Sequence, residues 1–221
     1  MATNLDQQIT TPAQPNLGSP LSWYEERFFS QSFGALNVYF NKLTALFSAL
    51  FGRRGGKWIN NPYGAFHDST DQSAANTTTA YAITFDTTDF SNGVTLSNSS
   101  RINVAQAGIY NIQFSLQLEN TTNDTQDIDI WFRKNGTDID KSNSLFGLPS
   151  RKSSGDPSHT IAALNYPVSL AANDYLQIMW RTSNIGVTIQ QYAAGTSPTR
   201  PITPSAIVTV FFVSNLSTET A

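Results

Sequence analysis

In the segment 109–119, apolar and polar side chains alternate without interruption from Tyr110 to Glu119, and this alternation constrains the fold more than any other feature of the chain. Successive side chains of a β-strand point to opposite faces of a sheet, so a strict period of two predicts a long, half-buried strand. The residues on its predicted buried face are Tyr110, Ile112, Phe114, Leu116 and Leu118.

Seven further segments after residue 57 resemble strands, and Gly, Pro, Asn and Ser are common in the gaps between them. These segments are residues 80–85, 101–104, 127–133, 160–168, 174–181, 187–192 and 206–213. Asn135-Gly136 predicts a type I′ hairpin turn, because both central residues of that turn need a positive φ. About ten short strands with no helical segment between them predict an antiparallel jelly-roll sandwich.

The last of these segments is apolar on both of its predicted faces. Its apolar residues are Ile207, Val208, Val210, Phe211, Phe212 and Val213. A strand of an antiparallel sandwich commonly has one face in water, so the second apolar face of this strand needs a cover. Another subunit is the simplest cover, because contiguous exposed apolar surface is typical of interfaces.

The N-terminal quarter of the chain has a different pattern. Residues 1–19 are polar and rich in Pro, Thr and Gln, which predicts a flexible or docked arm. Residues 20–56 are predicted to form an amphipathic helix over 20–51 followed by a glycine-rich break, with Ser19-Pro20 as the start signal. The predicted jelly-roll head then covers residues 57–215, and residues 216–221 form a tail.

The predicted helix carries an apolar stripe with alternating spacings of four and three residues, which is typical of coiled coils. The stripe consists of Phe29, Phe33, Leu36, Phe40, Leu43, Phe47 and Leu50. It could associate with other copies of itself, pack on another protein or on its own domain, or lie on a membrane. Lys42 is the only cation between Arg27 and Arg53, which argues against a membrane surface. We interpret the stripe as an oligomerisation or attachment surface.

Composition and charge exclude several classes of protein. The chain has 13 Lys and Arg against 16 Asp and Glu, so it lacks the basic excess that nucleic-acid binding needs. It has no cysteine, which excludes disulfides, thiolate metal sites and cysteine nucleophiles. The sequence contains no apolar run of about 18 residues, which a membrane span would need, and the N-terminus does not resemble a secretory signal.

The sequence also lacks a convincing catalytic motif. Asp86 and Asp89 form a local carboxylate pair, but they lie in a Thr-, Asp- and Asn-rich segment typical of a turn. Ser158-His159 follows Asp156, yet the chain has no Gly-x-Ser-x-Gly nucleophile motif. We therefore expect neither an enzyme nor a cofactor.

A cluster of acidic residues surrounds the predicted hairpin. Its members are Asp124, Asp127, Asp129, Asp138 and Asp140. Asp127 and Asp129 are predicted to share one strand face, and Asp138 and Asp140 one face of the partner strand. A cation would relieve their repulsion. A solvated acidic edge that prevents edge-to-edge aggregation is the favoured interpretation, so no metal is expected.

Several short motifs resemble one known family. Residues 107–115, with sequence AGIYNIQFS, resemble the Gly-x-Tyr-x-Phe strand of the tumour-necrosis-factor and complement-type trimeric jelly roll. The run from Ile207 to Val213 resembles the last strand of that family, which lies in the inner sheet near the trimer axis. Residues 56–58, 103–105 and 192–205 resemble the version found in structural proteins of tailed bacteriophages. The likeness covers about residues 57–213.

The resemblance implies a homotrimeric virion protein of a tailed phage. The first hypothesis is a capsid decoration, cement or spike protein, anchored by its N-terminal segment to the major capsid protein or to a tail or portal component. A receptor-binding tail fibre or fibre tip that contacts a host surface receptor is the alternative. A secreted trimeric signalling ligand is the second alternative, against which the missing signal peptide and cysteines count.

Overall fold

The computed structural model describes residues 14–15, 17, 26–51 and 61–214. The chain divides into two compact units, Met1–Asn60 and Asn61–Ala221. Most of the predicted arm, the predicted helix start at 20–25, the glycine-rich break and the tail lie outside the described residues. So do the side chains of residues 48–51, including that of Leu50.

In the described part of the first unit, Glu26–Phe51 form a helix, α1. It confirms the helix that the apolar spacing predicts, and its last residue is the predicted one. The segment has only two β-branched residues, Val38 and Thr44, and no proline, so its intrinsic helix propensity is favourable. Glu26 in the first turn complements the positive end of the helix dipole.

The second unit is built from antiparallel strands, of which ten are four or more residues long. The strands are β1 (Tyr63–Asp68), β2 (Gln72–Ser73), β3 (Tyr81–Ala82), β4 (Thr87–Asn92), β5 (Val94–Ser97), β6 (Arg101–Val104), β7 (Gly108–Asn120), β8 (Gln126–Lys134), β9 (Thr137–Asp138), β10 (Ser144–Leu148), β11 (Ser158–Leu170), β12 (Tyr175–Thr182), β13 (Val187–Ile189), β14 (Gly195–Thr196), β15 (Thr199–Arg200) and β16 (Ala206–Ser214).

The strands form two packed sheets, with β14 and β15 as a separate hairpin. Sheet A runs β11-β7-β16-β1-β4, and the short strands β13 and β2 extend it beside β7. Sheet B runs β10-β8-β12-β6-β5, with β3 on β12 and β9 on β8. Eight strands form the centre of the two sheets, namely β1, β6, β7, β8, β10, β11, β12 and β16. If these eight are numbered 1 to 8 in chain order, sheet A reads 1-8-3-6 and sheet B reads 2-7-4-5. This is the order of a jelly roll, so the predicted fold class is confirmed.

The alternation of residues 109–119 predicts the two faces of β7 correctly, and its apolar residues are buried in the core. An aromatic cluster joins the sheets at this point. The ring of Phe132 on β8 stacks on Tyr166 of β11 at 4.6 Å between centroids and lies 6.0 Å from Phe114 of β7. Each large side chain that is fully buried contributes about 1.5–3 kcal/mol to folding.

The predicted hairpin turn is confirmed at Asn135 and Gly136, whose φ angles are 49° and 84°. The Asn135 side chain also donates to Asp174 at 2.7 Å and accepts from the Tyr175 amide at 2.9 Å. Burial raises the pKa of Asp174, but the hydrogen bonds from Asn135 and the Ala171 amide outweigh it and hold that pKa below its usual value.

The predicted loop at Asp86–Gly93 is wrong for most of its length, because residues 87–92 form β4. β4 is an edge strand whose residues are largely exposed, so it has no alternation of polar and apolar side chains. Two other predicted strands are shorter than expected. Only Tyr81–Ala82 of residues 80–85 and Val187–Ile189 of residues 187–192 are strands.

The Gly-x-Tyr motif has a direct physical reason in the structure. Tyr110 is buried, its hydroxyl donates to the carbonyl oxygen of Gln106 at 2.8 Å, and its ring contacts Phe212 edge-on at 5.6 Å. The Phe212 ring lies directly against Gly108, where a Cβ atom would collide with it and would lie 2.9 Å from the Ser214 carbonyl oxygen. A side chain at position 108 would therefore displace the end of β16.

We predict that Gly108→Ala lowers the free energy of unfolding by about 1–3 kcal/mol, which is the usual cost of overpacking. Gly147→Ala is the matched control. Gly147 is also a strand glycine, but its nearest contact for a Cβ atom is Asp127 Oδ1 at an ordinary 3.7 Å. Urea denaturation of both variants measures the difference, and equal stability of the two would contradict the assigned contact between Gly108 and Phe212.

Candidate interaction surfaces

The exposed face of sheet A is a candidate interaction surface of the second unit. It is formed by the outward side chains of β11, β7 and β16, whose register aligns them in rows. One row contains Ala163, Ser115 and Ile207, and another contains Pro167, Asn111 and Phe211. The central strand thus presents amides and a hydroxyl, and both flanking strands present apolar groups.

Apolar side chains on this face remain accessible in the single chain. Ile161 of β11 is 60% exposed and Phe211 of β16 is 43% exposed, and Ile207 and Val213 are exposed as well. At the β1/β4 edge, the exposed rings of Tyr63 and Phe90 lie 5.9 Å apart. The apolar groups of β11 and β16 thus flank the polar central strand on the exposed face of the sheet.

The face is almost free of charge. Along the outward rows of β7, β11 and β16, the only ionisable side chains are Glu119 and His159, which lie opposite each other at one end. Neutral amides can be buried at a modest cost if they hydrogen-bond, whereas unpaired charges cannot. The chemistry of this face therefore suits burial against a similar surface.

β16 has apolar side chains on both faces, and the burial of these side chains differs between the two faces. Val208 and Val210 point into the core, while Ile207, Phe211 and Val213 point outward. Phe212 packs on Tyr110 beside a register shift at the end of the strand. Ile207 and Phe211 thus lie on the exposed face, whereas Phe212 is half-buried within its own chain. Sequence reasoning missed Ile161, because its place opposite Gln117 follows from the register between β11 and β7.

Three polar side chains close one end of this face. The Tyr192 hydroxyl donates to Glu119 Oε2 at 2.8 Å and lies 2.8 Å from His159 Nδ1. The rings of His159 and Tyr192 meet edge-on at 5.3 Å. Burial, followed by the hydrogen bond to the negative Glu119, raises the pKa of Tyr192 well above its ordinary value.

In helix α1, the predicted stripe divides into two sets by exposure. Leu36 and Leu43 are half-buried. Phe33 and Phe40 are 61% and 58% exposed, and Phe29 and Phe47 are also classed as exposed. The stripe therefore keeps large aromatic surface accessible to a partner. No helix in the described part of the chain is long and apolar enough to cross a bilayer.

The candidate catalytic residues do not form a triad. Ser158 is buried and donates to the carbonyl oxygen of Pro149 at 2.6 Å, whereas His159 points to the opposite face of β11. Asp89 lies 3.0 Å from His67 Nδ1 on neighbouring strands. Asp86 accepts from the Ser69 amide at 3.0 Å, which is a local structural role.

The acidic hairpin is interleaved with cations and donors. Asp129 is 2.8 Å from Arg181 Nη1, and Asp138 is 2.6 Å from Arg133 Nε. The predicted shared face of Asp138 and Asp140 is wrong, because β9 ends at Asp138 and the chain turns through Lys141 with a φ of 61°. Among the described residues, no group of three or more acidic or histidine side chains is arranged to hold a metal ion.

The sequence was compared with protein-family models and with curated proteins. No protein-family model matches the chain, and no curated protein is significantly similar to it in sequence.

We predict that Tyr192→Phe lowers the free energy of unfolding by about 1–2 kcal/mol at neutral pH, because Glu119 loses a hydrogen-bond donor. Folding keeps Tyr192 neutral, so above about pH 10 the unfolded tyrosine ionises and this group stabilises the wild type progressively less. The phenylalanine variant has no such group. The difference in free energy of unfolding between the wild type and Tyr192→Phe should therefore become smaller between neutral pH and about pH 11, as measured by urea titration. A difference that stays constant or grows would contradict the hydrogen bond from a neutral Tyr192 to Glu119.

Proposed function

We propose that this chain is a structural subunit of a tailed-phage virion that works as a homotrimer. The observation that carries the proposal is the uncharged, partly apolar exposed face of sheet A, with β16 beside the central strand. The strand order supports it, because β16, the last strand, lies in sheet A. In the tumour-necrosis-factor and complement-type jelly roll, which the sequence resembles, the sheet that contains the last strand lies near the trimer axis. Capsid decoration, cement or spike protein is the favoured role.

Helix α1 is the proposed attachment device. Its exposed phenylalanines provide apolar surface that packing on the major capsid protein, or on a tail or portal component, would remove from water. Most helix stability in proteins comes from such packing of the apolar face. The phage origin rests on the sequence resemblance of residues 56–58, 103–105 and 192–205, and the surfaces described above support an assembling protein.

We predict that the full-length chain sediments as a trimer at micromolar concentration and that Phe211→Glu produces folded monomers. Phe211 is exposed in the single chain, so a charge there is costly only when an assembly buries it. Ile185→Glu is the matched control, because Ile185 is an exposed isoleucine outside the strands of sheet A. Sedimentation equilibrium and circular dichroism measure assembly and folding, and a monomeric wild type would refute the proposal.

We predict that the double variant Phe33→Ser/Phe40→Ser still folds and trimerises but is depleted from purified particles. Both side chains lie on the exposed part of the stripe, so their loss removes partner contacts and leaves the sandwich untouched. Val38→Ser is the control, since Val38 is 55% exposed but lies off the stripe. Quantitative mass spectrometry of particles measures occupancy. A full complement of the double variant would place attachment elsewhere in the chain.

A further inference from the structure

The exposed face of sheet B contains a cavity of about 540 Å³. Asp129 and Trp131 of β8 and Arg181 of β12 form its floor, and the segment from Asp138 to Asn143 forms its wall. This volume lies within the range of small-molecule sites in proteins. The cavity belongs to the sheet opposite the proposed trimer face, so an inference about it does not rest on trimer formation.

The polar groups of this cavity are held in place by their neighbours. Asp129 accepts hydrogen bonds from Asn143 Nδ2 at 3.0 Å and from Arg181 Nη1 at 2.8 Å. Arg181 is itself fixed through Nε, which donates to the carbonyl oxygen of Thr77 at 2.9 Å. A ligand would therefore find these groups already ordered, which lowers the entropic cost of binding.

The second carboxylate is fixed by an aromatic residue. Asp138 Oδ1 accepts from Trp131 Nε1 at 2.9 Å and from Arg133 Nε at 2.6 Å. The bond from Arg133, more than that from Trp131, lowers the pKa of Asp138, so it stays a carboxylate at neutral pH. No donor in the described part of the chain reaches Asp138 Oδ2, and the side chain is 53% exposed. Its free lone pairs can accept hydrogen bonds from a ligand.

The charges of the lining nearly cancel. Three aspartates, Asp129, Asp138 and Asp140, are opposed by Lys141 and Arg181, and Arg133 also pairs with Asp138. A free anion would meet the carboxylates, and a free cation would compete with arginines that already occupy them. The lining instead offers an indole, carboxylate acceptors and amide and guanidinium donors around a mixed polar and apolar space.

We propose that this cavity binds a neutral saccharide. Sugar hydroxyls both donate and accept hydrogen bonds, which matches the acceptors on Asp129 and Asp138 and the donors on Asn143 and Arg181. The C–H face of a pyranose ring is apolar and suits packing on the indole of Trp131, whose N–H is already engaged. The site adds a recognition function to a protein whose other surfaces suit assembly.

The test uses the full-length chain and four neutral disaccharides, namely lactose, maltose, cellobiose and N,N′-diacetylchitobiose. Titration followed by NMR should shift the indole N–H resonance of Trp131 with at least one of them. Asp138→Asn should weaken that binding about tenfold, because the amide loses one acceptor and the charge that strengthens the hydrogen bonds. Asp156→Asn is the matched control, an exposed aspartate that pairs with Lys152 away from the cavity.

Three outcomes would overturn the proposal. The first is that none of the four disaccharides shifts the Trp131 resonance. The second is that binding is unchanged in Asp138→Asn and also in Trp131→Phe, a variant that keeps an aromatic ring and whose folding is checked by its thermal melting curve. The third is that a sugar phosphate or a sialylated lactose binds more tightly than the neutral sugars. The trimer variant Phe211→Glu should bind the disaccharide like the wild type at each single site.

Discussion

The pairing of β7 on both of its edges is the constraint on which the sandwich depends. β11 pairs with it from Gly108 to Asn120, while β16 and β13 share its other edge. A strand bonded on both sides cannot shift its register by one residue without moving every apolar side chain from the core to solvent. The alternation of residues 109–119 therefore determines the core and also determines which groups sheet A presents outward. The same pairing brings Phe212 over Gly108, so the end of β16 packs directly on the central strand.

The exposed face that results combines two properties that seldom occur together on a monomer. Its flanking strands present Ile161 and Phe211, and its central strand presents amides without charge. Apolar groups drive association, and amides can pair across an axis that repeats the same surface. In the proposed trimer, charged groups in those rows would carry a large desolvation cost. Glu119 and His159 stand at the end of the face, bonded to Tyr192.

Sequence reasoning predicted features that depend on local periodicity and turn chemistry. The helix, the faces of β7 and the Asn135-Gly136 turn all have such signals, and the structure confirms them. It missed β4, whose polar residues pair with β1 at an exposed edge, because hydrogen bonding to a neighbour leaves no pattern in a single strand. The cavity on sheet B was also missed. Trp131, Arg181 and Asn143 come together only through the pairing of β8 with β12 and the turn after β9, which no local spacing reveals.

The two sheets differ in charge, and this difference is compatible with both the proposed assembly and the proposed saccharide binding. The outward rows of β7, β11 and β16 in sheet A are nearly uncharged, whereas sheet B concentrates Asp129, Arg133 and Arg181 on its outward face. In the proposed trimer joined through sheet A, sheet B of all three subunits would face outward, so three of the proposed saccharide cavities would project from one trimer. Shallow, open sites of this kind bind weakly one at a time. Linked sites that reach the same surface gain in effective concentration, so a decorated particle could hold a glycan-covered surface firmly through individually weak contacts.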